Sequence, residues 1–173
     1  MSPRRGKTRP YLSCRRWCSG QKSRKNSSGG LPLHHYANLY VNARNPMLYR
    51  NCHEQSSINL CVLRISKDVL SLPGVVVTDG NAATTRTRFH ESPTGFQHLD
   101  KELVFADYWT DNDPIVADRK KWIICAEVLV PYKVESRFLI GTFVVSTHTA
   151  QSLTQKGIHL SSEINRKMFF WNE

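Results

Sequence analysis

The chain has 173 residues, of which 40% are hydrophobic, and this length and composition suggest one domain with a real core. Its five cysteines match no zinc-ligand spacing, and their odd number does not suggest a disulfide framework, so no metal is expected. Residues 1–30 hold no apolar secretory segment, and no apolar run approaches the roughly 18 residues of a membrane span, so a soluble protein of the reducing cytoplasm is the default expectation.

The formal net charge of +10 belongs to one end of the chain. Residues 1–30 contain nine Lys or Arg and no acid, whereas the remaining 143 residues hold fifteen basic and fourteen acidic side chains. This basic tail cannot bury enough apolar surface to offset its ordering entropy, so we expect it to be disordered and the domain to span residues 31–173. Two interpretations stay open for the tail, an incidental solubilising segment and an arm that attracts nucleic-acid phosphates.

Short strands dominate the pattern from residue 31 onward. Alternation and β-rich runs predict strands at residues 36–41, 59–65, 75–78, 122–130, 138–146 and 166–171. Helical turns are expected at residues 46–52, where Pro46 occupies the start, and at residues 67–71 behind Ser66 as N-cap; residues 96–105 form a short helix or are irregular. With few short helices and no βαβ rhythm, the fold class is α+β with a mixed or antiparallel sheet.

Glu127 is the most informative residue because it interrupts an otherwise apolar run over residues 122–130. A carboxylate in such a run faces a polar side, is paired, or is functional. Alternation places Glu127 on the face of Cys125 and Leu129. The plain alternative is a solvent-facing position on an edge strand.

Arg44 follows the first predicted strand and precedes the helical turn that starts at Pro46. At such a place an arginine fork and a helix N-terminus can both address an anion. The plain alternative is a surface ion pair. The polar segment at residues 78–83 ends another strand, and it gains interest if these strand ends converge on one cleft.

Three segments together resemble the DarT family of bacterial toxins, which transfer ADP-ribose from NAD to thymidine in single-stranded DNA and whose mark a macrodomain antitoxin, DarG, removes. They are LHHYANLYVNARNPMLY at residues 33–49, PGVVVTDGNAA at residues 73–83 and AEVLVP at residues 126–131. The first segment is the most specific. The resemblance runs in order from about Gly30 to Phe170, and it implies an ADP-ribosyltransferase-like sheet core, NAD as co-substrate, and both single-stranded DNA and a DarG-type antitoxin as partners.

The resemblance also implies roles for individual residues. Glu127 matches the family's catalytic glutamate, which would hydrogen-bond the nicotinamide ribose and stabilise the oxocarbenium-like state. Arg44 matches the family's active-site arginine, to which a part in deprotonating thymine N3 is given. Because arginine stays protonated, we favour a role in holding phosphate, as a contact to NAD, and in polarising the base. Asn42, Met47 and Tyr49 would build the loop around the substrate, and His90 would line the nucleic-acid side.

One departure from the family pattern keeps alternatives open. Family members usually begin with a strand that carries a His-x-Thr-like element and with a helix, which together grip NAD, and residues 1–30 contain neither. The expectations are therefore an active DNA ADP-ribosyltransferase, an impaired remnant that binds nucleic acid, or a transferase with an RNA or protein acceptor.

Overall fold

The computed structural model describes residues 30–171, and within them seven strands build two sheets, against which four α-helices are arranged. The expected disorder of residues 1–30 lies, apart from Gly30, outside this range. The elements are β1 Tyr36–Tyr40, α1 Pro46–Gln55, β2 Cys61–Ile65, β3 Val76–Thr78, β4 Phe89–Glu91, α2 Lys101–Val104, α3 Pro114–Ile124, β5 Glu127–Pro131, β6 Leu139–Val144, α4 Thr147–Gln155 and β7 Ser162–Ile164. Short 3₁₀ turns at Leu33–His35, Ser57–Asn59, Lys67–Ser71, Thr94–His98, Ser136–Phe138 and Arg166–Phe169 connect them.

The first sheet has the order β1-β5-β3-β4, with every pair antiparallel. The second has the order β2-β6-β7, in which β2 and β6 are antiparallel and β6 and β7 are parallel. The two sheets share a core cluster, because Leu39, Val77 and Val128 of the first sheet lie in one cluster with Ile65 of the second. The expected α+β class with a mixed sheet is confirmed.

The far side of the second sheet is covered by α1 and by residues near the C-terminal 3₁₀ turn. Val62 and Phe143 of the sheet form a second cluster with Leu48 of α1 and with Met168 and Phe169. This packing brings the end of the described chain against the loop between β1 and α1, which becomes important for Arg44.

Two strand predictions are wrong. Residues 122–130 are not one strand: α3 runs to Ile124, and β5 begins at Glu127. Asp113 caps α3 by accepting hydrogen bonds from the backbone amides of Ile115 and Val116, and Pro114 occupies the first turn, which is a strong helix start.

The last predicted strand, residues 166–171, contains the 3₁₀ turn Arg166–Phe169 instead, because Asn165 caps it through the backbone amide of Met168. The strand of this region is β7, just upstream. Among the other predictions, the strand at 36–41, the helix at Pro46 and the Ser66-capped turn are confirmed, whereas β4, α3 and α4 were not predicted.

Candidate active site

Glu127 lies at the start of β5, the strand that has β1 on one side and β3 on the other. It is 5% exposed, so the alternative of a solvent-facing edge position is wrong. The register sets Glu127 opposite Tyr40 and on the same face as Leu129, as alternation predicted. Cys125 is not part of that face, because it is the C-cap residue of α3.

The Glu127 carboxylate is held by donors from two different parts of the chain. The backbone amide of Ala82 donates to Oε1 at 2.9 Å, and the Asn38 side-chain amide donates to Oε2 at 2.8 Å. The Glu127 backbone amide donates to Thr78 Oγ1 at 3.0 Å, and that hydroxyl donates to the carbonyl of Gly80 at 2.7 Å. The carboxylate is thus fixed in direction, which is what stabilisation of a developing positive charge requires.

The loop that supplies Ala82 is closed by Trp122. The Trp122 indole N–H donates to Thr87 Oγ1 at 2.8 Å, and the Thr87 hydroxyl donates to the carbonyl of Asn81. The Asn81 backbone amide in turn donates to the Trp122 carbonyl at 3.1 Å. Gly80 lies so close to the Trp122 ring that an added Cβ would overlap it. The structure brings residues 78–83 and Glu127 together at one end of the first sheet.

Arg44 lies in the loop after β1, at the same end of the sheet as Glu127. Its Nε donates to the carbonyl of Lys167 at 3.1 Å, and its Nη1 donates to the carbonyl of Asp107 at 2.6 Å. The guanidinium carbon is 4.4 Å from the centre of the Phe170 ring. The Asp107 carboxylate is 4.0 Å away, at the limit of ion pairing, so backbone carbonyls and an aromatic face orient this side chain more than a surface ion pair does.

The helix N-terminus beside Arg44 does not offer open amides. Asn45 caps α1, and its Oδ1 accepts from the backbone amides of Met47 and Leu48 at 2.9 and 3.1 Å. The expectation that this helix end and Arg44 jointly address an anion is therefore wrong for the helix. Any anion contact at this place falls to the arginine.

The other predicted site residues differ in position. Asn42 is buried, and it shapes the loop by donating to the Val104 carbonyl at 2.9 Å and accepting from the Arg44 backbone amide at 2.9 Å. Met47 is half-buried and packs with Tyr40, whereas Tyr49 is 43% exposed.

His90 is not brought together with them. It lies opposite Val77 on β4, so it projects to the core side of the first sheet, away from the Glu127 face. There its ring stacks on His98 with centroids 4.2 Å apart, and its Nε2 is buried. Burial, followed by the charge of His98, lowers the pKa of His90. A role of His90 at the nucleic acid stays a prediction.

Asn38, Thr87 and Trp122 were not singled out from the sequence. Asn38 offered one signal, a polar residue in a strand at two-residue spacing from Tyr40. No group of three or more His, Cys, Asp or Glu side chains within residues 30–171 is arranged to hold a metal ion. None of the helices in that range has the length and apolar character that a bilayer crossing requires.

Comparisons with known proteins match most of this chain to one family. The family model described as "ssDNA thymidine ADP-ribosyltransferase, DarT" matches residues 19–170, beginning eleven residues before the expected start of the resemblance. A fusion protein of DNA ADP-ribosyl transferase and DNA ADP-ribosyl glycohydrolase from Thermosipho africanus is 31% identical over 130 residues. That match covers 73% of this chain and 32% of the relative, so the chain spans about a third of that protein's length.

Solved structures show the same fold. Thermosipho africanus DarTG in complex with ADP-ribose superposes with a TM-score of 0.70 and 24% identity, over 86% of this chain and 39% of that one. Thermus sp. 2.9 DarT in complex with carba-NAD+ gives 0.70 and 22% over 85% of this chain and 79% of that one. The same Thermus protein in complex with ADP-ribosylated ssDNA gives 0.69 and 22%, over 85% and 74%.

Proposed function

Because the chain belongs to the DarT family, we propose that it transfers ADP-ribose from NAD to thymidine in single-stranded DNA. The observation that carries this proposal is the Glu127 carboxylate, buried and aligned by Asn38 and by the backbone amide of Ala82. Thermus DarT, a relative of the same fold, has structures in complex with NAD+ and with ADP-ribosylated ssDNA.

In the proposed reaction NAD supplies an activated ribose whose bond to nicotinamide breaks, with the electron pair leaving on nicotinamide. Glu127 accepts a hydrogen bond from the ribose hydroxyl and stabilises the positive charge that develops on the sugar. Thymine N3 releases its proton to solvent water and forms the new bond to the ribose carbon that nicotinamide has left. Arg44 remains protonated, so it holds phosphate and favours the ionised base rather than removing the proton.

We assign the binding of the acceptor thymidine to the loop after β1. Two of the five N–H groups of the Arg44 guanidinium are engaged by the carbonyls of Lys167 and Asp107, which fixes the plane in which the others point. Asn42 shapes this loop from within, and Met47 and Tyr49 lie on the first turns of α1 beside it. The assignment rests on these contacts together with the family match.

The biological setting follows from the same family. The Thermosipho relative carries a DNA ADP-ribosyl glycohydrolase in one polypeptide with the transferase. A transferase that marks DNA needs an enzyme that removes the mark if the cell is to survive, so we assign this chain the part of a toxin with a DarG-type macrodomain antitoxin. Because NAD and DNA meet in the cytoplasm, the proposed place of action is there.

The direct test is mass spectrometry of oligonucleotides after incubation with the protein and NAD. A strand that contains thymidine should gain the mass of one ADP-ribose, and the same sequence with deoxycytidine replacing thymidine should not, because cytosine N3 carries no proton to release. Glu127→Gln, which keeps the size of the side chain, should lower transfer by roughly 10²- to 10³-fold. Absence of any adduct over a library of single strands would overturn the proposal.

A second experiment incubates the protein with labelled NAD and, in parallel, with DNA, RNA or protein, and it measures which of the three gains the label. Label in RNA or protein but not DNA would move the function to a different acceptor. Salt-sensitive DNA binding with no label anywhere would identify a binding remnant.

A further inference from the structure

The loop that supplies the Ala82 amide spans residues 79–88 and joins β3 to β4. It is closed at its base, where the Asp79 backbone amide donates to the Arg88 carbonyl at 3.3 Å and the Arg88 amide donates to Asp79 Oδ1 at 2.8 Å. Between these ends, the buried side chains are only those of Ala82 and Thr87, which are small. The position of the loop therefore depends more on polar contacts than on apolar packing.

Arg86 connects this loop to helix α3 by two contacts. Its Nη2 lies 2.8 Å from Asp118 Oδ2 and also donates to the Asp118 carbonyl at 3.3 Å. Its guanidinium carbon lies 4.7 Å from the centre of the Trp122 ring. Because Asp118 and Trp122 are four positions apart, they lie on one face of the helix, and a single guanidinium reaches both. We call Arg86, Asp118 and Trp122 the Arg86 clamp.

Helix α3 gives the Arg86 clamp a fixed support. Ile123 and Ile124, in the last turn of the helix, are 3% and 1% exposed, and Trp122 directly precedes them. The two side chains that hold Arg86 are therefore carried by an element that is anchored in the core. A loop attached to such an element is placed more accurately than a loop that is held by its ends alone.

The contacts of Arg86 are transmitted to the Glu127 carboxylate through its neighbours in the loop. Arg86 directly precedes Thr87, whose hydroxyl donates to the carbonyl of Asn81. The residue after Asn81 is Ala82, and the Ala82 amide donates to Glu127 Oε1 at 2.9 Å. If the loop moved away from α3, this last hydrogen bond would lengthen and the carboxylate would lose one of its two side-chain donors' directions.

The Arg86 clamp contributes little to the stability of the whole domain. The Arg86 side chain is 44% exposed and that of Asp118 is 68% exposed, and water screens ion pairs of this kind. Stacking of the guanidinium on the indole face adds a directional attraction. Contacts of this strength do not determine whether the domain folds, but they limit local opening of the loop.

We propose that Arg86 is a positioning residue, which holds the loop at residues 79–88 on α3 and thereby keeps the Ala82 amide on the Glu127 carboxylate. This inference rests on the proposed function, in which that carboxylate stabilises the positive charge on the ribose. Arg86 acts through alignment and needs no contact with NAD or DNA. Its loss should therefore lower kcat and leave the KM values for both substrates unchanged.

The test compares Arg86→Gln, which removes the charge and retains a polar side chain, with Asp118→Asn and with the double variant. Steady-state transfer gives kcat and both KM values. Hydrogen exchange of the Ala82 backbone amide, followed by NMR in the absence of NAD and DNA, measures the contact to Glu127 directly. Exchange of the amides in the ladder between β1 and β5 serves as the internal reference.

Arg137→Gln is the matched control variant. Arg137 also stacks on an aromatic ring, with its guanidinium carbon 4.9 Å from the centre of Phe138, and it pairs with Glu135 at 3.1 Å. It lies beyond the end of β5, whereas Glu127 lies at the start of that strand. A general effect of removing a stacked surface arginine would therefore appear in this variant as well.

Arg86→Gln should lower kcat by about 3- to 10-fold, the combined effect of one lost stack and one exposed ion pair. Asp118→Asn should lower kcat by about 2- to 3-fold, because the stack on Trp122 remains. The double variant should be no slower than Arg86→Gln, since both changes remove the same ion pair. Exchange of the Ala82 amide should rise in Arg86→Gln, and exchange in the reference ladder and kcat of Arg137→Gln should stay unchanged.

Unchanged exchange of the Ala82 amide in Arg86→Gln would overturn the proposal, as would an equal rise in the reference ladder. A raised KM for the oligonucleotide with unchanged kcat would overturn it too, because Arg86 would then be a phosphate contact. Since exchange is measured without substrates, the clamp can be established even if the protein transfers nothing. Transfer by Arg86→Gln at the full rate would remove the clamp and leave the proposed function standing.

Discussion

The side chain of Asn38 in β1 donates a hydrogen bond to the side chain of Glu127 in the neighbouring strand β5, although the residue of β5 that lies directly opposite Asn38 is Leu129. The contact is diagonal, at 2.8 Å, and it joins the two strands that carry the proposed acceptor loop and the buried carboxylate. A side-chain amide of this kind supplies direction without adding charge. It therefore aligns the carboxylate without placing a second charge beside it.

Asn38→Leu should lower both stability and transfer. The change removes the donor and leaves Oε2 of a buried carboxylate less satisfied, so the free energy of unfolding should fall by about 1–3 kcal/mol. Urea unfolding measures this loss, and single-turnover transfer measures the rate. In a Glu127→Gln background, Asn38→Leu should lower the free energy of unfolding and the transfer rate by less than in the unchanged protein, because the carboxylate acceptor is gone. Equal losses in both backgrounds would contradict the assigned contact.

Thr87→Val should disturb the Glu127 carboxylate from a distance. Valine keeps the shape but neither accepts from Trp122 nor donates to Asn81, so the loop that supplies the Ala82 amide loosens. We expect kcat for transfer to fall about 10-fold, from the loss of roughly one aligned hydrogen bond, with a smaller change in KM for NAD. Thr87→Ser should restore kcat, and Trp122→Phe should behave like Thr87→Val. A Thr87→Ser variant as slow as Thr87→Val would show that packing, not the hydroxyl, is what the loop needs.

Arg44→Lys should abolish most transfer while the fold remains. A lysine ammonium is a point charge that cannot span the carbonyls of Lys167 and Asp107 and also lie flat on Phe170. We expect transfer to drop by more than about 10-fold, equivalent to at least about 1.4 kcal/mol of transition-state stabilisation. Arg50→Lys, in an exposed pair with Glu54, is the matched control and should change transfer less than about 2-fold. Circular dichroism confirms the fold, and full activity of Arg44→Lys would remove the arginine from the mechanism.

Stability should decline on mild acidification because of His90. Burial lowers the pKa of this histidine below its ordinary value of 6.5, the charges of His98 and Arg88 lower it further, and Asp79 acts in the opposite direction. Since the unfolded chain takes up the proton first, the stabilising contribution is complete above pH 6.5 and is lost as pH falls from there through the lowered pKa. Urea midpoints between pH 7.5 and 5 measure the effect. His90→Gln should flatten this part of the profile, and an unchanged profile would exclude His90 as its source.

The apolar run at residues 122–130 shows why the sequence predicted burial better than it predicted the element. Ile123 and Ile124 are apolar because the last turn of α3 packs on the core, and Val128 is apolar because β5 lies inside the sheet. Both environments select the same side chains. The distinguishing signal lay upstream, in the Asp113 cap and Pro114.

The sequence predicted only those residues of the candidate site that differ in chemical character from their neighbours in the chain. Glu127 stands out as an acid among apolar residues, and Arg44 as a cation before a helix start. Asn38 offered only its two-residue spacing from Tyr40, and Thr87 offered no signal. Their contacts join residues 89 and 35 positions apart and depend on strand register and on loop closure. Family resemblance pointed to the reaction, but the supporting contacts required the fold.

The bond from Arg44 to the carbonyl of Lys167 joins residues 123 positions apart. A ribosome that has made Arg44 must therefore add more than a hundred further residues before this contact can form. During translation the nascent chain carries an arginine that has not yet been oriented. Assembly of that part of the site becomes possible only once residues 167–170 have left the ribosome, so no activity that uses Arg44 can arise before the 3₁₀ turn Arg166–Phe169 has been translated.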